Sequence, residues 1–339
     1  PWWVLSATRR VPGTNAGDYL SALRLRAAPK EAAIADVLDA GSMLYRRLWQ
    51  PLAVAALNTS AEDGSARLFW RIVVETLGAG GSACRPMVPR EGLSETLIDP
   101  TLAWLGARGA EIRFGSRLRG FGFAGGRVGQ LEFDNSTVAL GPSDWVILAV
   151  TAPVAARLVP GLTVPDDHAP IVNAHYRYAL PGDAPPFIGV VGGTAEWIFR
   201  KPGVVSVTVS AADGIVDEPA EVLRERLWRD VAAVCGLAKE PVPPGRIVKE
   251  RRATFRATPA QLRRRPAAST EWNNLRLAGD YVETGLPATI EGAIRSGFAA
   301  AAPLITRRSR WMPLVETSGR AHRPDIIGQT GPVCRRARP

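Results

Sequence analysis

Apolar residues recur at helical spacing through the first third of the chain. The segments EAAIADVLDAGSMLYRRLWQPLAVAAL and SARLFWRIVVETL place them every three or four positions, which predicts amphipathic helices. We expect another helix in SETLIDPTLAWLGARG, broken by Pro100 and ended by Gly109. Residues 1–108 are therefore predicted to be a helical region.

The pattern changes to that of strands after residue 109. AEIRFGSRLRGFGF and RVGQLEF flank a tight AGG turn, and DWVILAV is a continuous apolar run typical of a fully buried strand. Four alternating segments follow between residues 171 and 210: IVNAHYRYAL, FIGVVGG, AEWIFRK and VVSVTVSA. They predict an antiparallel sheet with one covered face. An amphipathic helix in PAEVLRERLWRDVAAVCGL and an extended segment in RIVKERRATFRAT come next.

The segment NLRLAGDYVETGLPATIEGAIRSG, residues 274–297, has the pattern of a strand, a loop and a helix. Gly279 and Asp280 follow the strand, at the edge where open α/β sheets place ligand-binding groups. Pro287 suits the first helical position, because it has no N–H group to leave unpaired. The N–H groups of Ala288, Thr289 and Ile290 would then face an electron-rich ligand, although an ordinary strand–loop–helix is the alternative.

Charge and cysteine content exclude several classes of protein. Residues 307–339 hold eight arginines against Glu316 and Asp325, so more than half of the net charge of +10 lies in this tail, and nucleic-acid binding is not expected. The cysteines and histidines are few and widely spaced, so we expect no metal site and no disulfide, which is typical of a reducing cytosol. The longest apolar stretch, WVILAVTAPVAA, is twelve residues and too short to span a bilayer.

Several segments together resemble one family. They are LWQPLAVAALNT, ACRPMVPREGLSE, ARGAEIRFGSRL, VGGTAEWIF, KERRATFRATPAQLRRRP and LAGDYVETGLPATIEGAIRSG, which cover most of residues 45–302. They resemble the FAD-dependent amine oxidase and phytoene desaturase superfamily, and within it the squalene-associated branch, the hydroxysqualene dehydroxylases of hopanoid biosynthesis.

The resemblance implies an α/β fold with a Rossmann-like FAD-binding domain and a substrate domain made of an antiparallel sheet and helices. It implies FAD as cofactor and the reduction of hydroxysqualene to squalene by hydride from reduced flavin. The substrate would be a long-chain isoprenoid. A cytoplasmic protein would reach it by binding peripherally at the inner face of the membrane.

We divide the chain accordingly. The expected parts are a helical part of the substrate domain (1–108), a segment of the FAD domain (109–158), the antiparallel-sheet part of the substrate domain (159–256), the C-terminal segment of the FAD domain (257–305) and a disordered basic tail (306–339). By the same resemblance, the cofactor contacts would fall on Leu118, Gly279, Asp280, Leu286, Pro287, Ala288, Thr289 and Ile290.

The phosphate-binding fingerprint of the family has no good match here. Relatives begin with a βαβ unit that carries GxGxxG between a strand and a helix. The nearest match, GAGGSA at 78–83, follows a helical pattern and precedes CRPMVPRE, which is no helix. We therefore expect the first βαβ unit to be missing and the FAD domain to be incomplete.

Residues for the substrate chemistry are harder to identify. Ionisation of an allylic alcohol needs a proton donor, and Glu91 or His175 could supply the proton. The alternatives are a surface ion pair for Glu91 and a satisfied core histidine for His175. Tyr176 and Trp197 could present aromatic faces to a cation or an isoprenoid chain, but sheet packing explains them equally well. Asn58 could anchor a loop or contact a polar ligand atom.

Two other interpretations stay open. A related carotenoid or phytoene desaturase, or a flavin amine oxidase, would use the same scaffold. The chain could also be an inactive fragment that binds no flavin, since it lacks the GxGxxG unit.

Overall fold

The computed structural model describes residues 2–309, with side chains from Trp3 to Ile305. The chain divides into two compact units, Pro1–Ala301 and Ala302–Pro339. The sheets and the candidate site lie in the first unit. Of the predicted basic tail, residues 310–339 lie outside the described residues.

The N-terminal region is helical, as its apolar spacing predicts. Buried side chains at that spacing, among them Leu25, Tyr45, Trp49 and Phe69, form a single core cluster. The helices are α1 (Leu23–Arg26), α2 (Ile34–Val37), α3 (Gln50–Leu57) and α4 (Ala66–Val73), with 3-10 turns at Trp2–Leu5 and Ala16–Ala22 and π turns at Tyr45–Trp49 and Val74–Gly78.

Asn58 ends α3 in the left-handed conformation (φ 46°), which asparagine tolerates better than most residues. Its buried amide donates to the carbonyl of Ala169 at 3.1 Å and to Oγ1 of Thr254 at 2.9 Å. Its carbonyl oxygen accepts from the N–H of Ala211 at 2.6 Å. Asn58 therefore anchors the helices to the antiparallel sheet, and its side chain has no polar group left for a ligand.

Residues 93–106 form one continuous helix, so the predicted break at Pro100 is wrong. A π turn at Ser94–Ile98 runs directly into α5, Asp99–Gly106. A proline ring normally presses on the carbonyl one turn earlier, and the wider π turn gives the ring of Pro100 room. The predicted strand in AEIRF does not form either, because residues 110–117 are irregular and Phe114 is 81% exposed.

A three-stranded antiparallel sheet follows, in the order β1-β2-β3. Its strands are β1 (Leu118–Ala124), β2 (Arg127–Phe133) and β3 (Thr137–Ala139). The turn between β1 and β2 is built from Gly125 and Gly126, whose φ angles of 55° and 72° suit the two-residue hairpin that the AGG pattern predicts. The chain continues into β4 (Val146–Leu148) and α6 (Ala152–Leu158).

The predicted antiparallel sheet is confirmed. It has five strands in the order β6-β7-β8-β5-β9, so the extended segment RIVKERRATF joins it as an edge strand. The strands are β5 (His168–Arg177), β6 (Phe187–Gly189), β7 (Trp197–Lys201), β8 (Val204–Val209) and β9 (Gly245–Phe255).

Helix α7, Ala220–Cys235, covers one face of this sheet. Every second residue of β5, including Val172 and Tyr176, is buried on that face against Leu227 and Trp228. The opposite face carries the residues in between. These are aromatic and polar side chains: Asn173, His175, Phe187, Trp197, Phe199, Ser206 and Thr208.

A short parallel pair brings distant segments together. Strand β10, Leu275–Leu277, follows α8 (Pro259–Leu262) and pairs in parallel with β4. The pair is not buried on both sides as the apolar run predicts, because Ile147 is 40% exposed. The last helix is α9, Ile290–Ser309. Within the described part of the chain, no helix is long and apolar enough to cross a membrane.

Candidate functional site

The loop that leaves β10 turns at Gly279. The carboxyl ends of β4 and β10 lie side by side, which is where α/β sheets bind ligands. Gly279 has φ 145°, and a methyl group there would lie 2.6 Å from Cε1 of Tyr281. Its N–H donates to Oγ of Ser296 in α9 at 2.8 Å. Only glycine fits this position, because the backbone passes between a ring and a helix.

Asp280 follows at the end of the strand, half-buried. Burial raises the pKa of its carboxyl above the ordinary value, and the N–H of Tyr281 and the charge of Arg265 act in the opposite direction. A half-buried carboxyl group therefore lies at the carboxyl end of β10. Such a group can accept hydrogen bonds from a ligand hydroxyl or N–H.

The helix begins later than predicted. Thr289 caps it, since its Oγ1 accepts from the N–H of Gly292 at 3.1 Å, and the first helical residue is Ile290. Pro287 therefore lies two residues before the cap and is not the first helical residue. The N–H groups of Ala288, Thr289 and Ile290 have no hydrogen-bond acceptor within the described residues.

Gly292 allows the loop to lie close to this first turn. A methyl group at Gly292 would lie 2.8 Å from the carbonyl oxygen of Pro287. Leu286, next to that proline, is buried. The segment from Leu286 to Ile290 is thus closely packed at its start and ends in the free N–H groups.

The inside of this loop is filled by Arg265, which sequence reasoning missed. Its guanidinium is completely buried and donates to carbonyls of the loop. The last of three consecutive arginines in LRRRP carries no sequence signal that separates it from the other two. Leu118, the remaining predicted cofactor residue, begins β1 and packs against the core cluster that contains Leu277 and Tyr281.

The two predicted proton donors are each related to Lys201, which lies with His175 on the open face of the five-stranded sheet. Nδ1 of His175 is 2.9 Å from Oγ of Ser206. Partial burial lowers the pKa of His175, and the charges of Lys201 and Arg246 lower it further. Lys201 also donates to the backbone carbonyl of Glu91 at 2.9 Å, while the Glu91 side chain is exposed.

The two predicted substrate-contacting aromatic residues lie on opposite faces of the sheet. Tyr176 is fully buried under α7, where its hydroxyl donates to the carbonyl of Arg224 at 2.6 Å, so it faces the helix. Trp197 lies on the other face, against the backbone of Gly189. Ordinary sheet packing accounts for Tyr176.

Trp197 lines a cavity of about 370 Å³ between the helical region and the edge of the sheet. One wall is the stretch from Arg46 to Val54, and the other is the segment 189–197. Glu196, which sequence reasoning also missed, contributes a carboxyl group to this cavity. Burial raises its pKa, although Oε2 accepts from the N–H of Ser210 at 2.7 Å.

Glu196 and the Gly279–Ile290 loop belong to the same end of the sheet. The N–H of Ser210 donates to Glu196, and the N–H of the next residue, Ala211, donates to Asn58. Asn58 in turn donates to Oγ1 of Thr254, near the end of β9. Phe255, the last residue of β9, lies under the guanidinium of Arg265 at 5.2 Å. A continuous set of contacts therefore connects the cavity wall with the loop.

The loop residues suit one edge of a flavin. The ring of a bound FAD would offer carbonyl oxygens to the free N–H groups of Ala288, Thr289 and Ile290, and its ribityl chain would offer hydroxyls to the carboxyl of Asp280. Gly279 lets the loop take this course, because a side chain there would collide with the ring of Tyr281. In contrast, GAGGSA follows the π turn that ends at Gly78 and leads into turns, so it does not form a strand–glycine–helix phosphate site.

Comparison with known proteins identifies the class. Residues 15–305 match the family model described as flavin containing amine oxidoreductase. The fold agrees: a redesigned putrescine oxidase superposes with a TM-score of 0.62 at 15% identity, covering 88% of this chain and 77% of that one. Cyclohexylamine oxidase from Brevibacterium oxydans gives 0.57 at 12% identity, covering 86% and 73%. The chain has the fold of a flavin-containing amine oxidoreductase.

Closer relatives define the branch. The chain is 49% identical over 302 residues to hydroxysqualene dehydroxylase of Rhodopseudomonas palustris, covering 89% of this chain and 72% of that protein. It is 46% identical to the enzyme of the same name from Sinorhizobium fredii, with the same coverage. The chain belongs to the hydroxysqualene dehydroxylase family. The predicted fold class, the resemblance and FAD as cofactor are thereby confirmed.

Proposed function

We propose that this chain, with FAD, reduces hydroxysqualene to squalene. The observation that carries the proposal is the 49% identity to a hydroxysqualene dehydroxylase over 89% of the chain. The loop from Gly279 to Ile290 and the cavity next to Trp197 support it, because they combine groups suited to a flavin with a space large enough for part of an isoprenoid.

Gly279, Asp280 and the N–H groups of Ala288, Thr289 and Ile290 would hold the flavin end of FAD, with Leu118 nearby in the same packed cluster. When bound and reduced, the cofactor supplies hydride to carbon. The carbon–oxygen bond of the alcohol breaks, the hydride replaces the hydroxyl, and a proton joins the hydroxyl so that water leaves. An external two-electron donor must then restore the reduced flavin.

Residues of this chain would donate the proton to the departing hydroxyl and stabilise the positive charge that develops on carbon. Glu196 has the surroundings of a proton donor, because burial keeps its carboxyl protonated to higher pH than usual and it faces the cavity. His175 and Glu91 are the other candidates, on the open face of the sheet. The ring of Trp197 would lie beside positive charge that develops as the hydroxyl leaves.

We also propose that the protein meets its substrate at a membrane surface. A long-chain isoprenoid partitions into the bilayer, so an enzyme that uses it must collect it there. Co-sedimentation of the protein with vesicles that contain hydroxysqualene tests this. Full recovery of the protein in the supernatant would contradict it.

The test of activity uses the full chain supplied with FAD, dithionite and hydroxysqualene in detergent micelles. Squalene detected by mass spectrometry, and its absence when the reductant is omitted, would support the proposal. Phytoene and a set of amines are offered in parallel reactions. Conversion of one of these without any squalene would favour a desaturase or an amine oxidase, while a colourless protein that converts nothing would favour the interpretation without flavin.

A further inference from the structure

Arg265 occupies a place unlike that of its two neighbours. Arg263 is 62% exposed, and its nearest acidic partner, Glu31, is 3.8 Å away. Arg264 reaches across to the carbonyl of Val164 at 3.0 Å and stays partly exposed. The side chain of Arg265 has no exposed surface at all, so this charge lies inside the protein beneath the loop.

The guanidinium of Arg265 donates to four backbone carbonyls of the loop. Nη1 donates to the carbonyl of Leu286 at 2.6 Å, and Nη2 donates to the carbonyls of Val282 at 2.5 Å and Asp280 at 3.2 Å. Nε donates to the carbonyl of Tyr281 at 3.4 Å. A planar group with five N–H donors in fixed directions can donate to several carbonyls at once.

The charge of Arg265 is stabilised by these carbonyls together with two carboxylates. Burial lowers its pKa, while Glu283 and Asp280 raise it, and the carboxylate of Glu283 lies 3.6 Å from Nη1. The ring of Phe255 covers the guanidinium at 5.2 Å. Removal of the guanidinium would leave four carbonyls without their donor, three of them fully inside the protein.

These contacts fix the direction of the loop peptides. Because a peptide unit is planar, a carbonyl turned toward Arg265 directs the following N–H to the opposite side. The N–H of Tyr281 points back at the carboxyl of Asp280, and the N–H of Glu283 donates to the carbonyl of Pro266 at 2.8 Å. The carbonyl of Leu286 is the last one held, at the start of the Leu286–Ile290 segment that ends in free N–H groups.

We propose that Arg265 is a positioning residue that sets the conformation of the loop from Gly279 to Ile290 and thereby directs Asp280 and the free N–H groups at the flavin. The role goes beyond the proposed function, because it concerns the cofactor loop and holds for any substrate. Arg265 itself does not touch the reacting atoms.

Hydrogen–deuterium exchange of the full chain tests the proposal without any substrate. In R265Q, exchange within residues 279–290 should rise by about tenfold or more, because charge-assisted hydrogen bonds to the loop are lost. R265K should restore part of the protection, since an ammonium group offers three donors to the same carbonyls. R263Q, in the same arginine triplet, is the matched control and should exchange like the wild type.

Quenching of FAD fluorescence gives a second readout, in which R265Q should bind FAD about tenfold more weakly and R265K should lie between it and the wild type. Unchanged exchange at 279–290 in R265Q would overturn the proposal. A rise spread evenly over the chain in both R265Q and R265K would also overturn it, since it would show only a general loss of stability. Failure to form squalene would leave the exchange result unaffected, so the two proposals are tested separately.

Discussion

Replacement of Gly279 by alanine tests the close approach on which the cofactor loop depends. The backbone at this position has φ 145°, a conformation that costs a residue with a side chain about 1–3 kcal/mol. The new methyl group would also lie 2.6 Å from the ring of Tyr281, and crowding of this kind costs about 1–3 kcal/mol more. We expect the free energy of unfolding to fall by about 2–6 kcal/mol, out of a total of about 5–15 kcal/mol for a folded protein.

Gly297 provides the matched control, because it lies further along the same segment in α9 and a methyl group there meets nothing within 4 Å. G297A should keep or raise stability, by up to about 1 kcal/mol, since alanine favours a helix over glycine. Urea unfolding followed by tryptophan fluorescence measures both variants, and FAD fluorescence reports whether G279A still binds the cofactor. Equal unfolding midpoints for G279A and the wild type would refute the strain that we attribute to Gly279.

Other side chains give predictions of different kinds. Because burial raises the pKa of Glu196, its protonated carboxyl stabilises the folded state, and this contribution is lost as pH rises above about 4. In E196Q the free energy of unfolding, measured by urea titration, should therefore fall less with rising pH than in the wild type. The same pH dependence in both proteins would contradict this. Y176F should lower the free energy of unfolding by about 0.5–1.5 kcal/mol through loss of the hydrogen bond to α7, with KM unchanged. W197A should raise KM for hydroxysqualene, and equal effects of Y176F and W197A on KM would argue against the cavity as the substrate site. N58A should destabilise by about 2–4 kcal/mol in the same unfolding assay, because it leaves three buried or partly buried groups without their hydrogen-bond partner. A loss below about 0.5 kcal/mol would show that the anchor is dispensable.

Controls separate these effects from general damage. E271Q makes the same substitution as E196Q at an exposed glutamate and should leave the pH profile of stability unchanged. Circular dichroism of Y176F and W197A should match the wild type, because neither change removes a strand or helix. A loss of secondary structure in W197A would make its KM uninformative, and the milder W197F then serves as the substitute.

Much of the fold follows from local sequence. The period-two alternation in β5, β7 and β8 predicts a sheet with one covered face, because strand geometry forces neighbouring side chains to opposite sides. The strand–Gly-Asp–Pro–helix order in residues 274–297 predicts the strand, loop and helix found there, since their backbone requirements are visible in residue types.

Features set by distant contacts could not be predicted. Arg265 is distinguished from its two neighbours only by the loop that folds over it. Glu196 is distinguished from other glutamates only by the cavity that it forms with the segment from Arg46 to Val54. The continuous helix through Pro100 depends on a π turn that residue types do not reveal. The start of α9 at Ile290 depends on Thr289, which captures the N–H of Gly292 and displaces the boundary expected from Pro287.

The segment that forms the five-stranded sheet begins and ends at neighbouring positions. His168, where β5 begins, is the paired neighbour of Phe255, where β9 ends. A segment whose two ends already touch can be exchanged as a cassette with little disturbance of what surrounds it. Asn58 holds this cassette largely through main-chain groups of Ala169 and Ala211, which any sequence provides. Evolution, or a designer, could therefore replace residues 168–254 to change which molecule is accepted, while Phe255 and the loop from Gly279 to Ile290 stay the same.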